Sequence, residues 1–83
     1  MDYDIVFCSQ ALQDLSRLDR VIAKRIVAKI ERMRHDLHGD VKRLKNFQPG
    51  HRLRVGDYRV LFDVRGSQAI IQYIRHRREA YTG

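Results

Sequence analysis

HRLRVGDYRVLFDV, residues 51–64, reads as two β-strands joined at Gly56-Asp57, with three arginines inside the hairpin. A two-residue loop with glycine first suits a type II′ turn, whose twist matches that of the flanking strands. With Gly56 and Asp57 in the loop, Val55 falls opposite Tyr58, Arg54 opposite Arg59 and Leu53 opposite Val60. Side chains alternate between the two faces of a strand. Leu53, Val55, Tyr58, Val60 and Phe62 therefore share a face suited to a core, while Arg52, Arg54 and Arg59 share the other. Good cross-strand pairs contribute about 0.2–1 kcal/mol, whereas like charges directly opposite are destabilising. The arrangement makes most physical sense if an anion settles between the guanidinium groups.

Upstream, YDIVFC (residues 3–8) is rich in β-formers and ends at Ser9, a residue type whose hydroxyl caps helix N-termini. Ala11, Leu12, Leu15 and Leu18 then share a helical face, and Asp19 offers a second N-cap. Ile22, Ile26, Ile30, Met33 and Leu37 continue as a stripe of helical period, which predicts a second helix from Val21 to about Leu37 with Gly39 as its stop. Residues 40–50 are expected to form a loop or a short helical turn, with Pro49-Gly50 marking a turn before the hairpin. The predicted strands are 51–56, 58–64 and 69–75, the last two separated by Arg65-Gly66-Ser67-Gln68. The expected fold is α+β: an N-terminal strand, a helical hairpin and a three-stranded antiparallel meander, with the helices packed on one sheet face and the other face open. At 83 residues the chain is expected to form a single domain over positions 1–83.

Seventeen Lys and Arg against ten Asp and Glu give a net charge of +7, a field that attracts polyanions such as nucleic acid. From residue 51 to residue 81 there are seven arginines and no lysine, although lysines occur at 24, 29, 42 and 45. The guanidinium fork matches phosphate oxygens two at a time, which an ammonium does not. Arg75, His76, Arg77, Arg78 and Tyr81 join the hairpin's arginines if the last strand pairs with the middle one, adding phosphate clamps, a proton carrier and an aromatic platform. Cys8 has no partner for an internal disulfide and fits a reducing cytoplasm. No apolar run approaches the roughly 18 residues of a membrane span, and MDYDIVF carries acids where a signal peptide carries basic residues. Zinc-type Cys/His spacing, a glycine-rich phosphate loop and a G-x-S-x-G elbow are all missing, so no metal and no cofactor is expected.

With its strand, helical pair, basic VKRLKN connector (41–46), HRLRVGDYRVLF (51–62) and IRHRREAY (74–81), the chain resembles the RelE/ParE superfamily of bacterial toxins, on the RelE side. The likeness spans nearly the whole sequence, and its most specific parts are R-x-R-x-G-D-Y-R at 52–59 and HRREAY at 76–81. The resemblance implies a RelE-like fold and a cytoplasmic type II toxin. Such a toxin is a metal-independent, ribosome-dependent endoribonuclease that cuts translated mRNA and is neutralised by a small, partly acidic RelB-like antitoxin. By the same resemblance Arg52, Arg54, Arg59, Arg77 and Tyr81 are the catalytic residues; His51, Arg75, His76, Lys42, Arg43 and Lys45 are the further candidates for substrate binding. The alternative within the superfamily is a ParE-like toxin that inhibits DNA gyrase by binding and cuts nothing. A plain RNA-binding module, with steeply salt-dependent affinity, is a third reading.

Overall fold

The computed structural model describes residues 1–81. The elements are β1 (Asp4–Phe7), α1 (Ser9–Ser16), α2 (Arg20–Met33), β2 (Val41–Arg43), β3 (His51–Val55), β4 (Tyr58–Arg65) and β5 (Gln68–His76). They build one five-stranded sheet in the order β1-β5-β4-β3-β2, with β1 parallel to β5 and every other pair antiparallel. The β3–β4 register is the one the hairpin sequence dictates: Val55 faces Tyr58, Arg54 faces Arg59 and Leu53 faces Val60. Gly56 takes φ 57° while Asp57 stays out of the left-handed region, as a II′ turn requires. Gly66 repeats this between β4 and β5, where Arg65 pairs with Gln68.

Both helices cover the same sheet face. Ile26, Ile30 and Met33 of α2 and Ala11 of α1 are fully buried against Leu53, Val55, Val60, Phe62, Ala69, Ile71 and Ile74. The helical stripe of the sequence is thus the core stripe, with two corrections. Leu12 is 54% exposed, because it lies about 100° around the helix from Ala11. The other is that α2 ends at Met33, short of Leu37. The N-terminus takes over there: the Tyr3 amide donates to the Arg34 carbonyl, the Asp36 amide donates to the Met1 carbonyl, and the terminal ammonium pairs with the Asp36 carboxylate. Asp36 and Leu37 both take φ 56°, turning the chain out of the helix while Leu37 still packs on the core. Asp19 caps α2 as expected, accepting from the Val21 amide at 3.1 Å. Ser9 is the first residue of α1, and the N-cap position belongs to Cys8, whose side chain makes no cap bond.

Two further features depart from expectation. Within 40–50 the chain forms an edge strand, with Val41 opposite Leu53, Lys42 opposite Arg52 and Arg43 opposite His51. The far sheet face is only partly open. Leu61 and Ala80 are fully buried yet stand outside the main core, and the Tyr73 hydroxyl donates to the Ala80 carbonyl at 3.3 Å. The chain after β5 therefore folds back across that face. No described helix is long and apolar enough to cross a membrane.

Fully buried Ile30 and solvent-facing Val21, 65% exposed, lie on the same helix. Ile30→Val is expected to lower unfolding free energy by about 0.5–1.5 kcal/mol, and Val21→Ala to change it by no more than about 0.5 kcal/mol. Urea titrations of both variants check the assignment of the core face.

Candidate nucleic-acid site

Register places the arginines. Arg54 lies opposite Arg59 on β4, and Arg59 lies opposite Arg75 on β5, so one row of three guanidinium-bearing positions crosses three strands. Strands are spaced about 4.8 Å apart, which gives the row a backbone span of roughly 10 Å. The adjoining row runs Lys42, Arg52, Leu61, Tyr73. The Arg75 guanidinium lies over the Tyr73 ring, 4.7 Å from its centroid, so the two rows touch.

Carboxylates hold several of these cations. Arg52, only 15% exposed, donates from Nη1 to the Asp40 carbonyl at 2.7 Å and to its Oδ1 at 3.1 Å. The hydrogen bond from Arg52 holds the Asp40 carboxyl below the usual carboxylate range; desolvation opposes it, and the positive charges of Arg52, Arg54 and Arg59 add smaller contributions. On the opposite side, Asp14 of α1 accepts from the Ile74 amide at 2.9 Å and from Arg75 Nη1 at 2.5 Å. This carboxylate, 10% exposed, serves the β5 backbone beyond the end of β1 and fixes Arg75 at the same time. Arg59 folds its guanidinium back on its own turn, donating to the Gly56 and Tyr58 carbonyls at 2.9 Å each. Arg54 is exposed and its side chain makes no hydrogen bond or ion pair among the described residues.

The remaining sequence candidates divide between the two faces. Arg77, 57% exposed, approaches Asp57 at 3.9 Å, and its amide donates to the Asp57 carbonyl, extending the β4–β5 ladder beside the β3–β4 turn. Tyr81 meets Phe47 edge-to-face at 5.7 Å and lines a cavity of about 530 Å³ with Lys42, Arg43 and Lys45. Burial, with Tyr81 nearby adding to it and Arg75 opposing, raises the Tyr73 pKa, so that hydroxyl remains a donor. The two histidines turn away from the arginine rows. His51 has the same parity as Leu53 and Val55 and stacks on Phe62 at 5.3 Å, and His76 pairs with core-facing Tyr58, touching its ring edge-to-face at 5.5 Å. Neither histidine belongs to the cluster of Arg52, Arg54 and Arg59. Sequence reasoning missed Asp14 and Asp40 altogether; each joins the site through contacts with residues at least twelve positions away.

Comparison with known proteins bears on the family and the fold. The profile of the family described as "ParE toxin of type II toxin-antitoxin system, parDE" matches residues 5–81. Toxin RelE3 of Methanocaldococcus jannaschii is 32% identical over 82 residues, covering 93% of each chain. The toxin fold in the RelB-RelE antitoxin-toxin complex from Methanococcus jannaschii superposes with a TM-score of 0.76 at 30% identity, covering 93% of this chain and 95% of the other. That of the RelE-RelB complex from Pyrococcus horikoshii OT3 matches in fold, with a TM-score of 0.77 at 23% identity, over 96% of this chain and all of the other. The chain belongs to the ParE toxin family of the RelE/ParE superfamily, and is a toxin of a type II toxin-antitoxin system.

Two outcomes follow from the site's electrostatics. Asp40 occupies the Arg52 guanidinium, which a phosphate would otherwise use, so Asp40→Asn should tighten binding of a short single-stranded RNA by about two- to fivefold, the range of an exposed ion pair. Weaker binding, read by fluorescence anisotropy, would show Asp40 to be part of the binding surface instead. Burial first, and then the charge of Arg43, lowers the His51 pKa from 6.5, with Asp63 opposing. The unfolded chain therefore binds more protons there than the folded one as pH falls below about 6.5, and stability drops over that window toward the lower folded value. His51→Gln should flatten the dependence of the urea midpoint between about pH 7.5 and pH 5.5; an unchanged slope counts against the assignment.

Proposed function

We propose that this toxin is a ribosome-dependent endoribonuclease that cleaves translated mRNA without a metal ion. The observation that carries the reading is the cross-strand row of Arg54, Arg59 and Arg75, with Arg52 beside it on the same sheet face. Such a set of donors suits a phosphodiester whose charge grows in the transition state. The ribose 2′-hydroxyl gives up its proton as its oxygen attacks the adjacent phosphorus, the bond from phosphorus to the 5′-oxygen breaks, that oxygen takes up a proton, and the products are a 2′,3′-cyclic phosphate and a 5′-hydroxyl. Arg52, Arg54 and Arg59 would stabilise the phosphoryl oxygens, as preorganised donors do in an oxyanion hole. Guanidinium groups are poor proton acceptors near neutrality, so their contribution is charge stabilisation and positioning. Arg77, exposed beside the turn, would approach the leaving 5′-oxygen, and Tyr81 would stack or orient a base.

A small antitoxin, partly acidic, is the expected partner, in line with the complexes in which the structural relatives were solved. A surface of matching chemistry exists on the helices. Leu12, Val21 and Val27 are exposed, and a cavity of about 390 Å³ on the helices is lined by Leu15, Ala23 and Val27 together with Arg20 and Lys24. An amphipathic helix with acidic flanks would complement it.

The family profile's ParE description favours a second reading, inhibition of DNA gyrase by binding. Expression in growing bacteria separates them: the nuclease halts protein synthesis first, the gyrase inhibitor DNA synthesis. Primer extension on a translated message then tests the chemistry. Arg59→Ala is expected to slow cleavage by on the order of 10²–10³ if it removes one transition-state donor. A near wild-type rate, or products ending in 3′-hydroxyl and 5′-phosphate, would contradict the scheme.

A further inference from the structure

A cavity of about 720 Å³ lies at the start of β3, lined by Arg43, Lys45, Asn46, Phe47, Gln48 and His51 among others. It lies apart from the arginine row, since His51 points to the sheet face opposite Arg52. Its volume falls within the roughly 300–1,000 Å³ typical of small-molecule sites.

The walls carry a particular chemistry. His51 is held flat against Phe62, with an interplanar angle of 25°, and its Nδ1 is buried without a hydrogen-bond partner. A buried N–H lacking an acceptor is costly, so the ring's proton belongs on Nε2. Phe47 supplies a second aromatic ring, and Asn46 and Gln48 supply amides that both donate and accept. Asp63 also borders the cavity, but its two oxygens are taken by the Gly50 amide at 3.0 Å and the Gln72 side chain at 3.2 Å. That carboxylate braces the loop. Cations, aromatic rings and amides along its walls, with no unengaged carboxylate, form a set suited to a nucleobase attached to a phosphate; an acidic peptide would call for the cations alone.

Phe47 connects this cavity to the candidate site. Phe47, Arg43 and Lys45 also line the neighbouring cavity that contains Lys42 and Tyr81, and Phe47 touches the Tyr81 ring. A strand passing Tyr81 thus meets Phe47 next, with two basic side chains common to both compartments.

We propose that the cavity bounded by Phe47, Gln48 and His51 takes one unpaired nucleobase of the bound RNA strand, a neighbour of the nucleotide on the arginine row, and so sets a base preference. Phe47 provides the stacking face, Asn46 and Gln48 read the base edge, and Arg43 and Lys45 hold the adjoining phosphate. This rests on the proposal that the arginine rows bind RNA.

The test uses the full chain and a labelled hexanucleotide with 2′-O-methyl riboses, which it cannot cleave, carrying a single abasic site moved along its length. In the wild type the abasic position that falls at this cavity, distinct from any that falls at Tyr81, should weaken binding about tenfold, the scale of one stacked base. In Phe47→Ala that penalty should fall below about twofold. Gln48→Ala, altered at an exposed side chain, should bind nearly as tightly as wild type while discriminating less among the four bases at that position. Equal penalties at every position in the wild type, or a penalty unchanged in Phe47→Ala with base preference intact in Gln48→Ala, overturns the proposal. Arg59→Ala separates this from the underlying reading: binding indifferent to Arg59→Ala counts against the arginine rows, whatever the abasic scan shows.

Discussion

The β3–β4 register is the constraint from which the rest of the molecule follows. Once Gly56 fixes a II′ turn, Arg54 must face Arg59, and continuation of the ladder onto β5 adds Arg75 to the row. The same alternation sends Leu53, Val55, Val60 and Phe62 into the core with no freedom to move either set alone, because a one-residue slip would exchange the faces. Core burial thus holds like charges side by side at a place where their repulsion would otherwise separate them. The hydrophobic effect supplies the energy, and the arginine rows are the place where it is spent.

The repulsion is relieved locally. Asp14 at one edge pairs with Arg75 of the row, Asp40 at the other pairs with Arg52 of the adjoining row, and Arg59 leans on backbone carbonyls of its own turn. These anchors have different strengths. Asp14 is nearly buried and also satisfies the Ile74 amide, so removing it would strand a buried backbone donor as well as an arginine. Asp40 is half exposed, where solvent weakens an ion pair and makes it easily replaced. The toxin therefore has a braced Arg75 at one edge of the sheet and, at the other, an Arg52 held by a solvent-exposed carboxylate.

Much of this was legible in the sequence because it rests on short-range rules. The turn residues fixed the hairpin register, and the spacing of Ile26, Ile30 and Met33 marked the buried face of α2. What the sequence hid depends on distant contacts. The end of α2 is set by pairing with Met1 to Tyr3, and β2 is too short to show alternation, forming because Val41 and Lys42 find partners on β3. Asp14 and Asp40 gain their role from neighbours far along the chain. For His51 a signal was present: it shares parity with Leu53 and Val55, which already assigned it to the core face and away from Arg52. His76 carried no such signal until the β4–β5 pairing, with Tyr58 as its partner, was known.

The central claim is that guanidinium groups from adjacent strands act as one phosphate site. Arginine side-chain NMR signals, followed while a non-cleavable 2′-deoxy dinucleotide is added to isotope-labelled toxin, address it directly. Arg52, Arg54 and Arg59 should shift together along one binding curve, while Arg17, Arg20 and Arg65 stay still. Shifts scattered evenly over all the arginines, or Arg52, Arg54 and Arg59 following different curves, would contradict the account.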